Sequence, residues 1–130
     1  MASMRQGEAR PAPGRHVLLV EDDDDIREAL RGLLEGEGYQ VSEAPNGADG
    51  LAILAAANPL PCVALVDLMM PILDGWQFLE RVREDPRFAG LEVVVITAAT
   101  EPQIPVGPVV LRKPFSVDAL LAAVARACTS

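Results

Sequence analysis

Glu21, Asp22 and Asp67, the hydroxyl of Thr97 and the ammonium of Lys113 are the side chains of this sequence equipped to do chemistry together. Each stands where a short apolar run stops. Glu21 and Asp22 follow His16-Val17-Leu18-Leu19-Val20, Asp67 ends Cys62-Val63-Ala64-Leu65-Val66, Thr97 follows the run from Leu91 to Ile96, and Lys113 lies just past Val109-Val110-Leu111. Three carboxylates brought close would repel one another and drive their pKa values up unless a cation sat between them. A hard divalent ion suits such a set, because Mg2+ prefers carboxylate and carbonyl oxygens and keeps several of its waters. A hydroxyl donor and an ammonium beside that ion make a place for a small tetrahedral anion. If one carboxylate attacked phosphorus in line while lysine and cation spread the charge on the oxygens, the product would be an acyl phosphate on aspartate.

Such chemistry needs elements that bring five separated positions to one place. Apolar runs without alternation read as strands buried on both faces, the pattern of a parallel sheet. Strands are expected over residues 16–20, 40–44 (nearer the sheet edge), 62–67, 91–96 and 109–111. Between them, Ile26, Leu30, Leu33 and Leu34 recur at helical spacing, and Gly36 and Gly38 end that helix. Asn46 caps a second helix that Asn58-Pro59 closes, and Asp74 with Gln77 forms the capping box of a third that stops at Asp85-Pro86. Ser116 caps the last, which turns Leu120, Leu121 and Val124 inward. Strand and helix in alternation predict an α/β fold, a doubly wound five-stranded parallel sheet with right-handed crossovers. Residues just past the ends of different strands then meet on one rim. One crossover departs from the pattern. Residues 98–108 contain Pro102, Pro105, Gly107 and Pro108, and although eleven extended residues reach about 36 Å, prolines at that density hold no regular helix. A Pro-rich loop with at most one turn is expected in place of a fourth helix.

At 130 residues with half of them apolar, the chain is one domain with a core large enough to need neither disulfide nor metal. No apolar run approaches the roughly eighteen residues of a membrane span, so no membrane insertion is expected. Residues 1–15 carry +2, three arginines against Glu8; with a total of −8, the rest of the chain carries −10. An acidic body argues against nucleic acid. Gly7, Pro11, Pro13 and Gly14, with no apolar segment of a secretory signal, suggest a disordered N-terminal tail over 1–15 before a domain at 16–130. Cys62 and Cys128 lack the spacing of a zinc site or a redox pair and read as reduced thiols of a cytoplasmic protein. No phosphate-binding loop and no G-x-G-x-x-G follows a strand, which removes the usual nucleotide sites.

Four segments in order, Val20-Glu21-Asp22-Asp23, the stretch from Val66-Asp67-Leu68-Met69-Met70-Pro71 to Asp74-Gly75, Val95-Ile96-Thr97-Ala98 and Lys113-Pro114-Phe115, resemble the receiver domains of two-component response regulators. The resemblance spans about residues 15–128. By matching position it implies Asp67 as phosphoacceptor, Glu21 and Asp22 as the metal-binding acidic pair, and the Met69 backbone carbonyl as a further Mg2+ ligand. It likewise implies Thr97 as switch hydroxyl, Lys113 as the lysine paired with the phosphoryl group, and a cis bond before Pro114. The implied donor is a sensor histidine kinase or histidine phosphotransfer protein. Such a domain is no enzyme beyond catalysing its own phosphoryl transfer and dephosphorylation. With the sequence ending soon after Cys128, a stand-alone receiver is expected, acting on an unknown downstream target through protein contacts.

The other polar residues have blander readings. Asp24 and Asp25 read as a solvated helix start, Asp23 stays open between cap and ligand, Trp76 and Phe78 read as packing, and His16 as a strand start rather than a phosphohistidine. Two departures from the family matter. Val110 stands where receivers usually carry an aromatic switch residue, and the sixteen positions from Thr97 to Lys113 are fewer than usual. Since the helix missing there helps build the family's common dimer and output surface, a different or reshaped surface is expected to signal, with residues 98–108 ordering on phosphorylation. Two further functions compete. One is a receiver-fold interaction module that works without phosphorylation. The other is a metal-dependent phosphohydrolase, which would need an acid/base aspartate where this chain has Met69.

Overall fold

A parallel sheet needs strands that tolerate burial on both sides, and the apolar runs supply them. In the computed structural model, which describes residues 15–68, 74–97 and 108–129, the order is β1 (His16–Val20), α1 (Asp24–Gly36), β2 (Gln40–Ala44), α2 (Gly47–Ala56), β3 (Val63–Asp67), α3 (Gly75–Glu84), β4 (Glu92–Thr97), β5 (Val109–Arg112) and α4 (Val117–Thr129). The five strands pair in parallel in the order β2-β1-β3-β4-β5. β3 is buried at every position, whereas β2 and β5, each with a single neighbour, are the half-exposed edges. The sequence-based expectations for the tail over 1–14, the Met69 carbonyl and the loop over 98–107 lie outside the described residues.

Side chains alternate along the strands and fill two cores. Val17, Leu19, Val63, Leu65, Val94 and Ile96 pack with Leu30 and Leu34 of α1 and Leu120 and Val124 of α4. Leu18, Val20, Ala64 and Val66 point the other way, onto Leu54 of α2 and Phe78 and Val82 of α3. Helices on both faces make the sheet doubly wound, the five-stranded parallel architecture expected from the alternation.

The helices start where their caps dictate. Asp23 accepts from the Ile26 N–H at 3.0 Å, Asn46 from Asp49 at 2.8 Å, and Ser116 Oγ from Ala119 at 3.0 Å. At α3 the Asp74–Gln77 capping box is complete, its two bonds 2.9 and 3.2 Å long. After α1 the chain turns at Gly38, whose φ of 93° belongs to the region that glycine enters without strain. Two local features escaped the sequence reading. A 3-10 turn at Pro86–Phe88 follows α3 and buries Phe88, and Asn58–Pro59 is cis in addition to the expected Lys113–Pro114. Arg15, counted by sequence with the lead-in, donates to the Gly38 carbonyl and stacks over Tyr39 at 4.4 Å from the ring centroid.

The reading of Cys62 and Cys128 as reduced thiols is corrected: they form a disulfide, with Cα atoms 5.0 Å apart. Cys62 leads into β3 while Cys128 sits in the last turn of α4, and α4 packs on β3 through Leu120 and Val124. Packing therefore brings together residues 66 apart in sequence, a pairing that local spacing rules for zinc or redox motifs cannot detect. Closing a loop of that length removes about 4 kcal/mol of chain entropy from the unfolded state. Reduction, or Cys128→Ala, is expected to lower the unfolding free energy by about that amount, read as a lower midpoint in denaturant; an unchanged midpoint would show that the bond constrains nothing.

Candidate functional site

Strand register assembles the site. Val20 of β1 pairs with Val66 of β3, so the next residues, Glu21 and Asp67, emerge side by side. Asp67 pairs with Ile96, placing Thr97 one step further along the neighbouring strand. Thr97 pairs with Arg112, and the Lys113 N–H donates to the Thr97 carbonyl at 2.7 Å. Carboxylate oxygens of Glu21, Asp22 and Asp67 all lie within 4.8 Å of one another. Lys113 Nζ stands 3.7 Å from Glu21 Oε1 and 3.5 Å from Asp67 Oδ2. The parallel sheet thus gathers Glu21, Asp22, Asp67 and Lys113 at one point, with Thr97 buried at the end of the adjoining strand.

The electrostatics of this cluster are unbalanced. Glu21 is 1% exposed, and among the described residues its Oε1 finds no hydrogen-bond donor. Its other oxygen accepts from the Asp23 N–H at 3.2 Å. Burial pushes the Glu21 carboxyl up to about 7, and the charge of Asp67 adds to the shift; the Asp23 N–H and the Lys113 ammonium pull the other way without restoring the ordinary value. Among the described residues, three carboxylates face one ammonium in a set made of oxygens, and one buried oxygen lacks a donor. A hard divalent cation fits that set, since it would satisfy the orphaned oxygen and relieve the repulsion.

Local devices hold the cluster in place. Asp23, left open by sequence, caps α1 and gives its N–H to Glu21. Asp24 and Asp25 are exposed in the first turn, as expected, although Asp24 also pairs with Arg27 at 2.6 Å. Gly75 is needed for close approach. A Cβ there would meet Leu68 Cα at 2.5 Å and the Asp67 carbonyl at 2.7 Å, so only glycine lets α3 begin against the end of β3. Arg27 lies off the apolar stripe of α1, yet its Nη1 donates to the Glu21 carbonyl at 2.7 Å. Its position in the sequence carried no signal of this, because the bond depends on how α1 settles on β2. His16 bonds Ser42 Oγ at 2.7 Å at the opposite end of β1, Phe78 is buried, and Trp76 packs on Leu68, Leu79 and Val95.

Comparison with known proteins identifies the family of the domain. The family model of the response regulator receiver domain matches residues 17–125. The chain belongs to that family. Response regulator Rre1 of Synechocystis sp. is 41% identical over 83 residues, which cover 63% of this chain and 35% of that protein. The receiver matches only about a third of that relative's length. Among solved structures, the chemotaxis protein CheY4 of Vibrio cholerae aligns with a TM-score of 0.77 and 28% identity over 86% of this chain and 97% of the other. The receiver domain of sensor histidine kinase PA1611 of Pseudomonas aeruginosa, solved with magnesium in its active-site cleft, shares the fold at a TM-score of 0.81 and 22% identity, covering 90% of this chain and 99% of that one. Among the described residues, no helix is long and apolar enough to cross a membrane.

The raised pKa fixes the sign of a stability effect. Glu21 keeps its proton in the folded receiver until about pH 7 but loses it near 4.5 when unfolded. Between those values the folded state binds more protons, so the metal-free protein loses stability as pH rises through this window. Glu21→Gln removes the buried charge. Its melting temperature is expected to match wild type near pH 4 and to exceed it near pH 8; equal values at pH 8 would mean the ionised carboxylate costs nothing.

Proposed function

We propose that this receiver accepts a phosphoryl group on Asp67 from the phosphohistidine of a sensor histidine kinase or histidine phosphotransfer protein, and hands on the consequence through protein contacts. The observation that carries the reading is the buried Glu21–Asp67 pair with Lys113 Nζ at 3.5 to 3.7 Å. Carboxylates crowded this way serve little purpose in a structural role, and replacing them would relieve strain in the core.

The roles follow from position. An oxygen of Asp67 attacks phosphorus in line as the phosphorus–nitrogen bond to the donor imidazole breaks, giving an acyl phosphate and a free histidine. Lys113, already beside Asp67, offsets the charge on the phosphoryl oxygens. Thr97 supplies a hydroxyl donor once the group is in place, and its backbone link to Lys113 couples the two. Glu21, Asp22 and Asp67, with the Met69 carbonyl assigned by sequence position, would hold Mg2+. When bound, that ion neutralises charge on the phosphoryl oxygens. Hydrolysis of the adduct returns the aspartate, so the domain processes only its own phosphoryl group. Its site of action is the cytoplasm, where donors of this class present their phosphohistidine.

A small phosphodonor tests the proposal. Incubation with acetyl phosphate and Mg2+ is expected to add one phosphoryl mass to the intact protein, with no adduct in Asp67→Asn or in excess chelator. Lys113→Met is expected to slow formation roughly 100-fold. An adduct that survives Asp67→Asn, or none in the wild type, would overturn it; the latter would leave a receiver fold that works without phosphorylation.

A further inference from the structure

We propose that Arg27 is a positioning residue for the acidic site: clamped to Glu43 on β2, it donates to the Glu21 carbonyl and so fixes the peptide that aims the Glu21 carboxylate at Asp67. This deepens the phosphoacceptor reading and rests on its cation-binding part.

Glu21 lies one residue beyond β1, where the strand no longer dictates the backbone. Among the described residues, two bonds hold its backbone there. Its N–H donates to the Ala44 carbonyl at 3.0 Å, and its carbonyl accepts from Arg27 Nη1 at 2.7 Å. Both anchors trace to β2. The Arg27 guanidinium also reaches Glu43 Oε1 through Nε at 3.3 Å and Asp24 Oδ1 through Nη2 at 2.6 Å. A single planar fork therefore ties the exit of β1, the first turn of α1 and the end of β2. Its side chain is 17% exposed, and Glu43 is gripped from its other side by Arg31 Nη1 at 2.7 Å.

The comparison between the two arginines separates positioning from mere docking. Arg31, one turn further along α1, makes an ion pair with the same Glu43 and a longer one with Glu35, at 3.8 Å. It thus serves the contact between α1 and β2 without touching the site. Arg27 serves that contact and, in addition, holds the carbonyl of a residue whose carboxylate is buried. With that carbonyl released, the Glu21 peptide could rotate, and its carboxylate would drift from the 4.8 Å grouping with Asp22 and Asp67. Lysine cannot substitute fully, because one ammonium cannot span the separate partners of a planar fork.

The experiment compares Arg27→Met, Arg27→Lys and Arg31→Met in the unphosphorylated full chain, with two readouts. Mn2+ affinity, followed by water-proton relaxation, is expected to fall about tenfold or more in Arg27→Met, the usual effect of removing a partner behind a ligand. Arg27→Lys should lose less, and Arg31→Met nothing. Without metal, the 15N resonance of the Asp22 amide, which shares a peptide group with the Glu21 carbonyl, is expected to move in Arg27→Met and stay put in Arg31→Met. Wild-type Mn2+ affinity in Arg27→Met, or an equal loss in Arg31→Met, overturns the proposal while the cation reading stands. A wild type that binds no Mn2+ overturns the cation reading and this inference with it, even where the Asp22 resonance still moves. If Arg27→Met proves poorly folded, Arg27→Lys decides: wild-type affinity and an unmoved Asp22 resonance in that variant overturn the proposal.

Discussion

Two carboxylates held out of water beside each other, with one ammonium for compensation, are the constraint around which this domain is built. Glu21 and Asp67 are 1% and 4% exposed, and Lys113 reaches both. An arrangement that costs stability persists only where the surrounding structure enforces it. Here the enforcement is the register of β1 against β3, backed by the continuous apolar packing of both strands on either face of the sheet. The core does more than stabilise the chain. It prevents the carboxylates from moving apart.

What the sequence revealed was written in local signals. Strand ends, the Asp74–Gln77 box and the caps at Asn46 and Ser116 are all decided within a few residues, and apolar runs imply a parallel sheet whose strand ends share a rim. From these, the meeting of Glu21, Asp22, Asp67 and Lys113 could be anticipated. What stayed hidden depends on how elements settle against one another. Arg27 has ordinary helix-surface spacing, and only the docking of α1 on β2 turns it toward the Glu21 carbonyl. Cys62 and Cys128 meet because α4 lies across β3, which no spacing rule encodes. Gly75 stood in plain view beside Asp74, but its reason, contact with the backbone of Leu68 and Asp67, exists only in three dimensions.

The side of the domain where receivers usually carry their switch aromatic is built differently here. Val110 is half-buried against the small cluster of Leu68, Leu79 and Val95. A β-branched valine has little rotameric freedom compared with a ring that can swing between a pocket and solvent. On this side β4 and β5 are joined backbone to backbone, by a 2.7 Å bond from the Lys113 N–H to the Thr97 carbonyl.

The disulfide lies at the end of β3 opposite Asp67. A covalent rivet there ties the foot of the central strand to the last turn of the final helix. The fastening and the acidic rim thus occupy opposite ends of one strand, so the bond secures the foot of β3 without touching the side chains around Asp67.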